Sequence, residues 1–527
     1  MVELRTTATI PGTSPATGDS VVPMIDVAIV GAGFGGLGAA IRLQQEGRKD
    51  FLVFERDDAV GGTWHVNTYP GAQCDIPSAL YSFSFAPNPD WTRLYPLQPE
   101  IEAYLNDCAD KFGIRDRIRF GHEVVDASWN DAQSRWLVTT SKGTWSARVL
   151  IGALGPFSEP ARPEIAGLDS FSGSVFHSAQ WDHEHSAQGR RLAVIGTGAS
   201  AVQFVPRLAP EAAHLTLFQR TPTWILPHPD RPISESGQQV LRRFPLAQRA
   251  MRRTFDLFQE AMVPGLINHR ALLAPLAALG RVHLRRQVKD PVLREKLTPQ
   301  YTFGCKRPTF SNAFYPALCR ENVTVETTGI DRIVPDGIVT TDGRTHEVDT
   351  IVLGTGFTIA KHSGFTRIKG RGGKSLRDAW PSGEMSSYRG TTVHGFPNFF
   401  MILGPNSVVY TSQVITIEAQ VNYVLEALRV MDAKSIATLE VSSEAQAEFN
   451  DYTDEKLAGS VWNSGGCSSY YLSPSGRNVT YWPGSVRNFT HRMSTVELGH
   501  YRCSTVESDK VTAPASDEEP ALTETRA

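Results

Sequence analysis

The run Asp26-Val-Ala-Ile-Val-Gly31-Ala-Gly33-Phe34-Gly-Gly36 decides the fold. An apolar, β-branched stretch meets three spaced glycines, and Leu37, Ala39, Ala40 and Leu43 follow at helical spacing, so the reading is strand, tight turn, helix. Gly31 permits the turn, Gly33 lets backbone approach a pyrophosphate, and Gly36 lets helix pack on strand. The helix N-terminus then offers unpaired N–H groups to phosphate. A second strand, Phe51-Leu-Val-Phe-Glu55, ends in an acid at the spacing of a ribose-hydroxyl partner. Together these mark a dinucleotide site.

A second turn of the same kind lies at Leu192-Ala-Val-Ile-Gly196-Thr197-Gly198-Ala-Ser200-Ala201, a GxGxxA form with alanine in the third place. Its following strand, Leu215-Thr-Leu-Phe-Gln219, runs into Arg220 and Thr221 and has no terminal acid. An arginine there pairs with a 2′-phosphate that an acid would repel, which selects NADPH over NADH. As an alternative, Arg220 is a solvated cation at a strand end.

Between the two turns stands Phe171-Ser-Gly173-Ser-Val-Phe-His177-Ser-Ala-Gln-Trp181-Asp182, in the place of a linker. Upstream, Gly61-Gly62-Thr63-Trp64-His-Val-Asn-Thr-Tyr69-Pro-Gly71-Ala-Gln-Cys-Asp75 carries Gly-Gly and Pro-Gly pairs that bend backbone close to a bound group. Downstream come Cys305-Lys306-Arg307-Pro308 and Asp349-Thr-Ile-Val-Leu-Gly354-Thr-Gly356-Phe357. Residues 224–301 alternate short apolar helical pieces with arginine clusters and prolines.

The FxGxxxHxxxWD pattern of the linker resembles the fingerprint of type I Baeyer–Villiger monooxygenases. The GGxWxxxxYPGxxxD and KRP motifs resemble further signatures of that family, and Gly354–Phe357 its ATGF crossing, with Gly354 for the usual alanine. The resemblance runs from about Ile25 to Tyr501 and is weak over 224–301. It implies an α/β fold with two Rossmann-like domains, one for FAD and one for NADPH, and a helical insertion. The FAD domain would be split over 24–155 and 356–503, and the NADPH domain over 156–222 and 305–355. The insertion, 223–304, would cover the substrate cavity; its basic amphipathic pattern also fits a segment lying on a membrane surface.

The implied activity is conversion of a ketone to an ester or lactone with O2 and NADPH through a C4a-peroxyflavin. Arg307 would be the cation facing the flavin and Asp75 the carboxylate that orients it. FAD would lie against Gly31, Gly33, Phe34, Gly36 and Glu55, against Gly62, Thr63, Trp64, Tyr69 and Asp75, and near Gly356 and Phe357. NADPH would lie against Gly196, Thr197, Gly198, Ser200 and Ala201, with Arg220, Thr221 and Lys306 at its phosphate end. The competing readings are a flavin monooxygenase acting on nitrogen, sulfur or long-chain aliphatic substrates, and an NADPH-dependent flavin oxidase or reductase.

The bulk composition agrees with an enzyme of several domains. At 527 residues the chain exceeds one core, and 41% hydrophobic with 20% charged residues is ordinary for a globular protein. A net charge of −3 gives no reason to expect nucleic acid. The six cysteines show no CxxC spacing, which argues against zinc and against a dithiol centre and suggests a reducing compartment. No metal is expected. No transmembrane run or secretory signal is read, so a cytoplasmic protein is expected. Residues 1–23 read as a disordered lead-in and 504–527, with six acids against two bases, as a disordered acidic tail.

Overall fold

The computed structural model describes residues 22–505. Its first sheet is built around β1 (Met24–Val30), which pairs in parallel with β2 (Phe51–Phe54) on one side. Next to β2 lies the short β3 (Ile118–Arg119). An antiparallel ribbon of β4 (Val124–Asn130) and β5 (Arg135–Thr140) leads into β6 (Gly143–Gly152), which returns parallel to β1 on its other side. Strand Phe399–Met401 pairs with β6 from far along the chain. The helices Phe34–Gln45 and Gln413–Ala433 share one core on this sheet, with Gly38 under Phe83 and Ile417. The second of these begins at Gln413, where Ser412 caps it by accepting from the Val414 amide at 3.3 Å.

The second sheet is wholly parallel. It consists of β7 (Ser174–His177), β8 (Arg191–Ile195) and β9 (His214–Phe218) together with Val323–Glu326 and Thr350–Leu353. Strand Thr350–Leu353 lies between β7 and β8. The linker pattern is therefore the edge strand of this sheet and the turn after it. Its Gly173 is required there, since a Cβ would stand 2.2 Å from the Asp349 carbonyl oxygen. Both faces are covered, as parallel sheets demand: helix Ala199–Leu208 packs on one and the apolar set Leu168, Ile333 and Ile338 on the other.

Residues 223–304 form helices Glu235–Arg243, Pro245–Glu260, Val263–Ile267, Ala274–Gln287 and Pro291–Lys296. Leu266, Ile267 and Leu273 turn inward onto an aromatic cluster with Trp462, Tyr471 and Tyr481, while Leu246, Leu257, Phe258 and Leu272 stay exposed. Among the described residues no helix is long and apolar enough to cross a membrane, and no group of His, Cys, Asp or Glu side chains is placed to hold a metal.

Two expectations need correction. Ser504 and Thr505, read as the start of a tail, belong to strand Tyr501–Thr505, which pairs antiparallel with Ile436–Val441. The rest of the tail, 506–527, and residues 1–21 of the lead-in lie outside the described residues. The scattered cysteines suggest a reducing compartment, yet Cys305 and Cys467, 162 residues apart, form a disulfide. Spacing does not reveal that pairing, because only the fold brings the two loops together.

Replacing Gly173 with Ala should force β7 away from Thr350–Leu353. The expected cost is about 2 to 3 kcal/mol, read as a melting temperature roughly 5 °C lower.

Candidate active site

The loop bearing Asp75 is fixed to the second domain before it reaches the site. Tyr69 donates from its hydroxyl to Gln203 Oε1 at 2.9 Å, and Gln203 Nε2 donates to the Gln73 carbonyl at 2.9 Å. Gly71, at φ +85°, allows this approach, since a Cβ there would meet the Gln203 carbonyl at 3.0 Å. Gln73 Nε2 in turn donates to Tyr95 O and Asp230 Oδ2, both at 2.9 Å. Asp75 is left facing the interdomain space.

Arg307 arrives from the other side. Its Nε donates to Asp75 Oδ2 at 2.7 Å across 232 residues of sequence. Its Nη1 donates to the Tyr410 carbonyl at 3.1 Å, and its backbone N–H to the Tyr471 hydroxyl at 3.2 Å. The guanidinium lies 5.5 Å from the Tyr410 ring centroid. Burial alone would lower the Arg307 pKa, but the Asp75 carboxylate more than offsets it and holds the group above its usual value. The result is a permanent cation beside an aromatic wall in which Trp462 and Tyr481 stack at 4.0 Å.

The first glycine turn forms a cradle that side chains would fill. A Cβ at Gly31, φ +99°, would meet the Ala153 carbonyl oxygen at 2.6 Å, and one at Gly36 would meet the Gly31 oxygen at 1.7 Å. Gly62 crosses Gly33 so closely that its Cβ would lie 3.0 Å from the Gly33 Cα. No side chain caps helix Phe34–Gln45, so its first N–H groups are free for an anion. Glu55, nearly fully buried, accepts from the Ala32 amide at 2.6 Å and the Asp57 amide at 3.0 Å, and burial raises its pKa. These features fit a dinucleotide pyrophosphate and ribose. Thr63 opens the short helix Thr63–Val66, and Trp64 Nε1 donates to the Tyr81 hydroxyl at 3.0 Å with Phe34 against the same ring.

The second turn repeats the construction. Gly196, φ +111°, would place a Cβ 2.3 Å from the Gly354 oxygen, and Gly198 leaves helix Ala199–Leu208 without a side-chain cap. A Cβ at Gly354 would press on the Ala201 methyl at 3.3 Å, so the two departures from the expected pattern face each other. Thr197 Oγ1 donates to the Thr221 carbonyl at 2.9 Å. Burial lowers the Lys306 pKa and the nearby Arg220 charge lowers it further.

The linker residues separate. Phe171 packs on one face of the second sheet, Trp181 lies 5.1 Å from Phe176 and 5.4 Å from Phe204, and Asp182 is exposed. His177 is buried, accepts at Nδ1 from the Ala179 amide at 3.0 Å, and stands edge-on to Phe357 at 5.9 Å. Gly356, φ +83°, continues the crossing. Sequence reasoning missed the Tyr410 carbonyl, the Tyr471 hydroxyl and Gln203. A backbone carbonyl has no sequence signal, and Gln203 has no motif of its own.

The pyridine nucleotide-disulphide oxidoreductase family model matches residues 28–245. Over 482 residues the chain is 46% identical to a Baeyer-Villiger monooxygenase of Pseudomonas aeruginosa, covering 91% of each. It is 44% identical over 480 residues to a Baeyer-Villiger monooxygenase of Streptomyces coelicolor, covering 91% of this chain and 92% of that one. Closed cyclohexanone monooxygenase superposes with a TM-score of 0.82 at 30% identity, over 92% of this chain and 100% of that one. Steroid monooxygenase bound to NADP gives 0.81 at 32% identity, over 91% and 99%. Fold and relatives define an α/β flavoprotein oxidoreductase with two dinucleotide-binding domains, dependent on FAD and NADPH. The chain belongs to the Baeyer–Villiger monooxygenase family.

His177 makes the pH response of the fold measurable. Burial pushes its pKa from 6.5 down to about 4, and the Gly356 backbone only partly opposes this. Between those values the unfolded chain binds a proton that the folded one excludes, so stability present above pH 6.5 is lost as pH falls towards 4. The full effect is on the order of 3 kcal/mol. His177→Gln should flatten the fall in melting temperature between pH 6.5 and 4.5 relative to the wild-type enzyme.

Proposed function

We propose that Arg307 and Asp75 form the reaction centre of a ketone monooxygenase, with FAD on the Gly31 turn and NADPH on the Gly196 turn. The 2.7 Å contact between Arg307 Nε and Asp75 Oδ2 carries this reading, because it places a fixed cation where the two dinucleotide domains meet. When bound, FAD reduced by NADPH supplies the activated oxygen. Arg307 supplies what negative oxygen needs, a charge that is effectively never titrated and a planar set of donors. With Nε on Asp75 and Nη1 on Tyr410, two sides of the guanidinium are anchored, and its remaining donors, those of Nη2 above all, are available to a substrate carbonyl. The charge then stabilises the oxyanion that develops as the carbonyl carbon is attacked. Asp75 orients Arg307, and the aromatic wall limits water, which strengthens the field.

No serine or cysteine is needed as a nucleophile. The FAD domain would comprise 24–155 and 356–503, the NADPH domain 156–222 and 305–355, and residues 223–304 would cover the substrate. The NADPH requirement supports action in the cytoplasm, on a small ketone with O2.

Arg307→Ala should retain FAD and flavin reduction by NADPH, while ester formation falls on the order of 10²-fold or more. Ester made at near the wild-type rate would sink the assignment. The double substitution Arg220→Ala and Lys306→Ala should raise KM for NADPH by roughly tenfold or more and leave KM for NADH nearly unchanged. An equal rise for both nucleotides would show that these cations do not read the 2′-phosphate.

A further inference from the structure

The Cys305–Cys467 disulfide lies two residues before Arg307, at a place the reaction itself does not explain. Cys305 is fully buried and Cys467 half-buried, both within the aromatic cluster behind the arginine. The two loops they join are tied at further points. Thr302 N–H donates to the Gly465 carbonyl at 2.9 Å, and the Arg307 N–H reaches the Tyr471 hydroxyl. A Cβ on Gly465 would stand 2.9 Å from Cys305 Sγ, so glycine is needed for the loops to close on each other. On the far side, a Cβ at Gly304, φ +91°, would stand 2.8 Å from Leu266 Cδ2 of the insertion. The segment 302–307 is thus held between insertion and C-terminal lobe, and the covalent bond is its strongest tie. Hydrogen bonds at a partly exposed loop exchange with water for little net free energy, whereas a covalent link does not.

We propose that Cys305–Cys467 is a redox-addressable brace that positions Arg307 against Asp75, so that the thiol state of the pair sets how far NADPH oxidation is coupled to oxygen transfer. This rests on the assignment of Arg307 made above. The pair acts through Arg307 and takes no part in the oxygen chemistry. Opening follows thiol–disulfide exchange with a protein or small-molecule dithiol. A thiolate attacks Cys467 Sγ, the more exposed sulfur, forming a mixed disulfide and releasing Cys305 as thiolate, which takes up a proton. The second thiol of the reductant then displaces Cys467, so two electrons and two protons pass to the pair and the reductant leaves as its disulfide. With the bond open, Arg307 keeps its charge but loses a fixed position, and a displacement of about 1 Å at a reacting centre costs up to ~10²-fold in rate.

The test uses the full-length holoenzyme with the exposed Cys319 and Cys503 changed to Ser, so that the buried Cys74 and Cys108 give a constant background of two thiols and any change in count reports on the pair. Peptide mapping of the enzyme as isolated in the absence of reductant should find Cys305 joined to Cys467. Treatment with dithiothreitol should lower ester formed per NADPH consumed, with peroxide release rising to match, by roughly tenfold; reoxidation should restore it. KM for NADPH and bound FAD should stay unchanged. Cys467→Ser should behave as the reduced enzyme does and no longer respond to dithiothreitol, and wild-type reversibility guards against a variant that misfolds. Alkylation mapped to Cys305 or Cys467 in the untreated, denatured enzyme, or coupling that is the same in both thiol states, would overturn the proposal. Arg307→Ala run in parallel separates the failures. If it makes no ester while coupling ignores the thiol state, only the brace is wrong; if it makes ester, the reading of Arg307 falls and the brace falls with it.

Discussion

The contact between Asp75 and Arg307 is the constraint around which the rest is arranged. Each side chain comes from a loop bent by glycine, Gly71 on one side and Gly304 on the other, and each loop is held by the domain opposite its own. A guanidinium beside Tyr410, Tyr471 and Tyr481 loses hydration, and without a carboxylate at hydrogen-bond distance that loss would favour the neutral form. Both partners keep about a third of their side-chain surface exposed, which reduces the desolvation cost together with the Coulomb gain. The pair is consequently weak as a stabiliser of the fold and strong as a locator, since Asp75 fixes where the positive charge stands.

The same economy of space governs the two glycine turns. At Gly36 and at Gly196 a single methylene would overlap a backbone oxygen, so these positions admit only glycine. The second turn tolerates Ala201 in the third place because its neighbour across the strand end is Gly354. One methyl occupies the gap between helix and crossing, and the pattern keeps its volume although two residues differ from the expected form.

Features that depend on local geometry were legible in the sequence. The glycine turns, the strands before them and the arginine-rich helices all declare themselves within a dozen residues, and the KRP and GGxW motifs pointed to Arg307 and Asp75 before their contact could be seen. Features that depend on separation were not. Cys305 meets Cys467, and Tyr471 meets the Arg307 amide, only after two domains and an insertion have packed. The linker shows the intermediate case. Its residues stand out as a pattern, yet the reason for Gly173 is the Asp349 backbone 176 positions away, which only the parallel pairing of β7 with Thr350–Leu353 supplies.

The two segments that cross between the domains explain why such distant residues can be held to a fraction of an ångström. Outgoing and returning chain run antiparallel and touch: the Ala161 N–H donates to the Gly356 carbonyl at 2.8 Å, Thr358 N–H to the Glu159 carbonyl at 3.0 Å, and Thr355 Oγ1 to the Ala161 carbonyl at 2.5 Å. A single tether would leave the second domain free to rotate, whereas a paired ribbon resists twist and permits bending about one axis. His177 and Phe157 pack against Phe357 at the root of this ribbon. Bending about that axis moves the Gly196 turn relative to the Gly31 turn. The Tyr69–Gln203 contact resists that movement beside Asp75, and the ties of the 302–307 loop to the C-terminal lobe resist it beside Arg307. The geometry of the site is therefore a property of how the domains dock, and the ribbon, the Gln203 clamp and the arginine loop are the three points that define the docking.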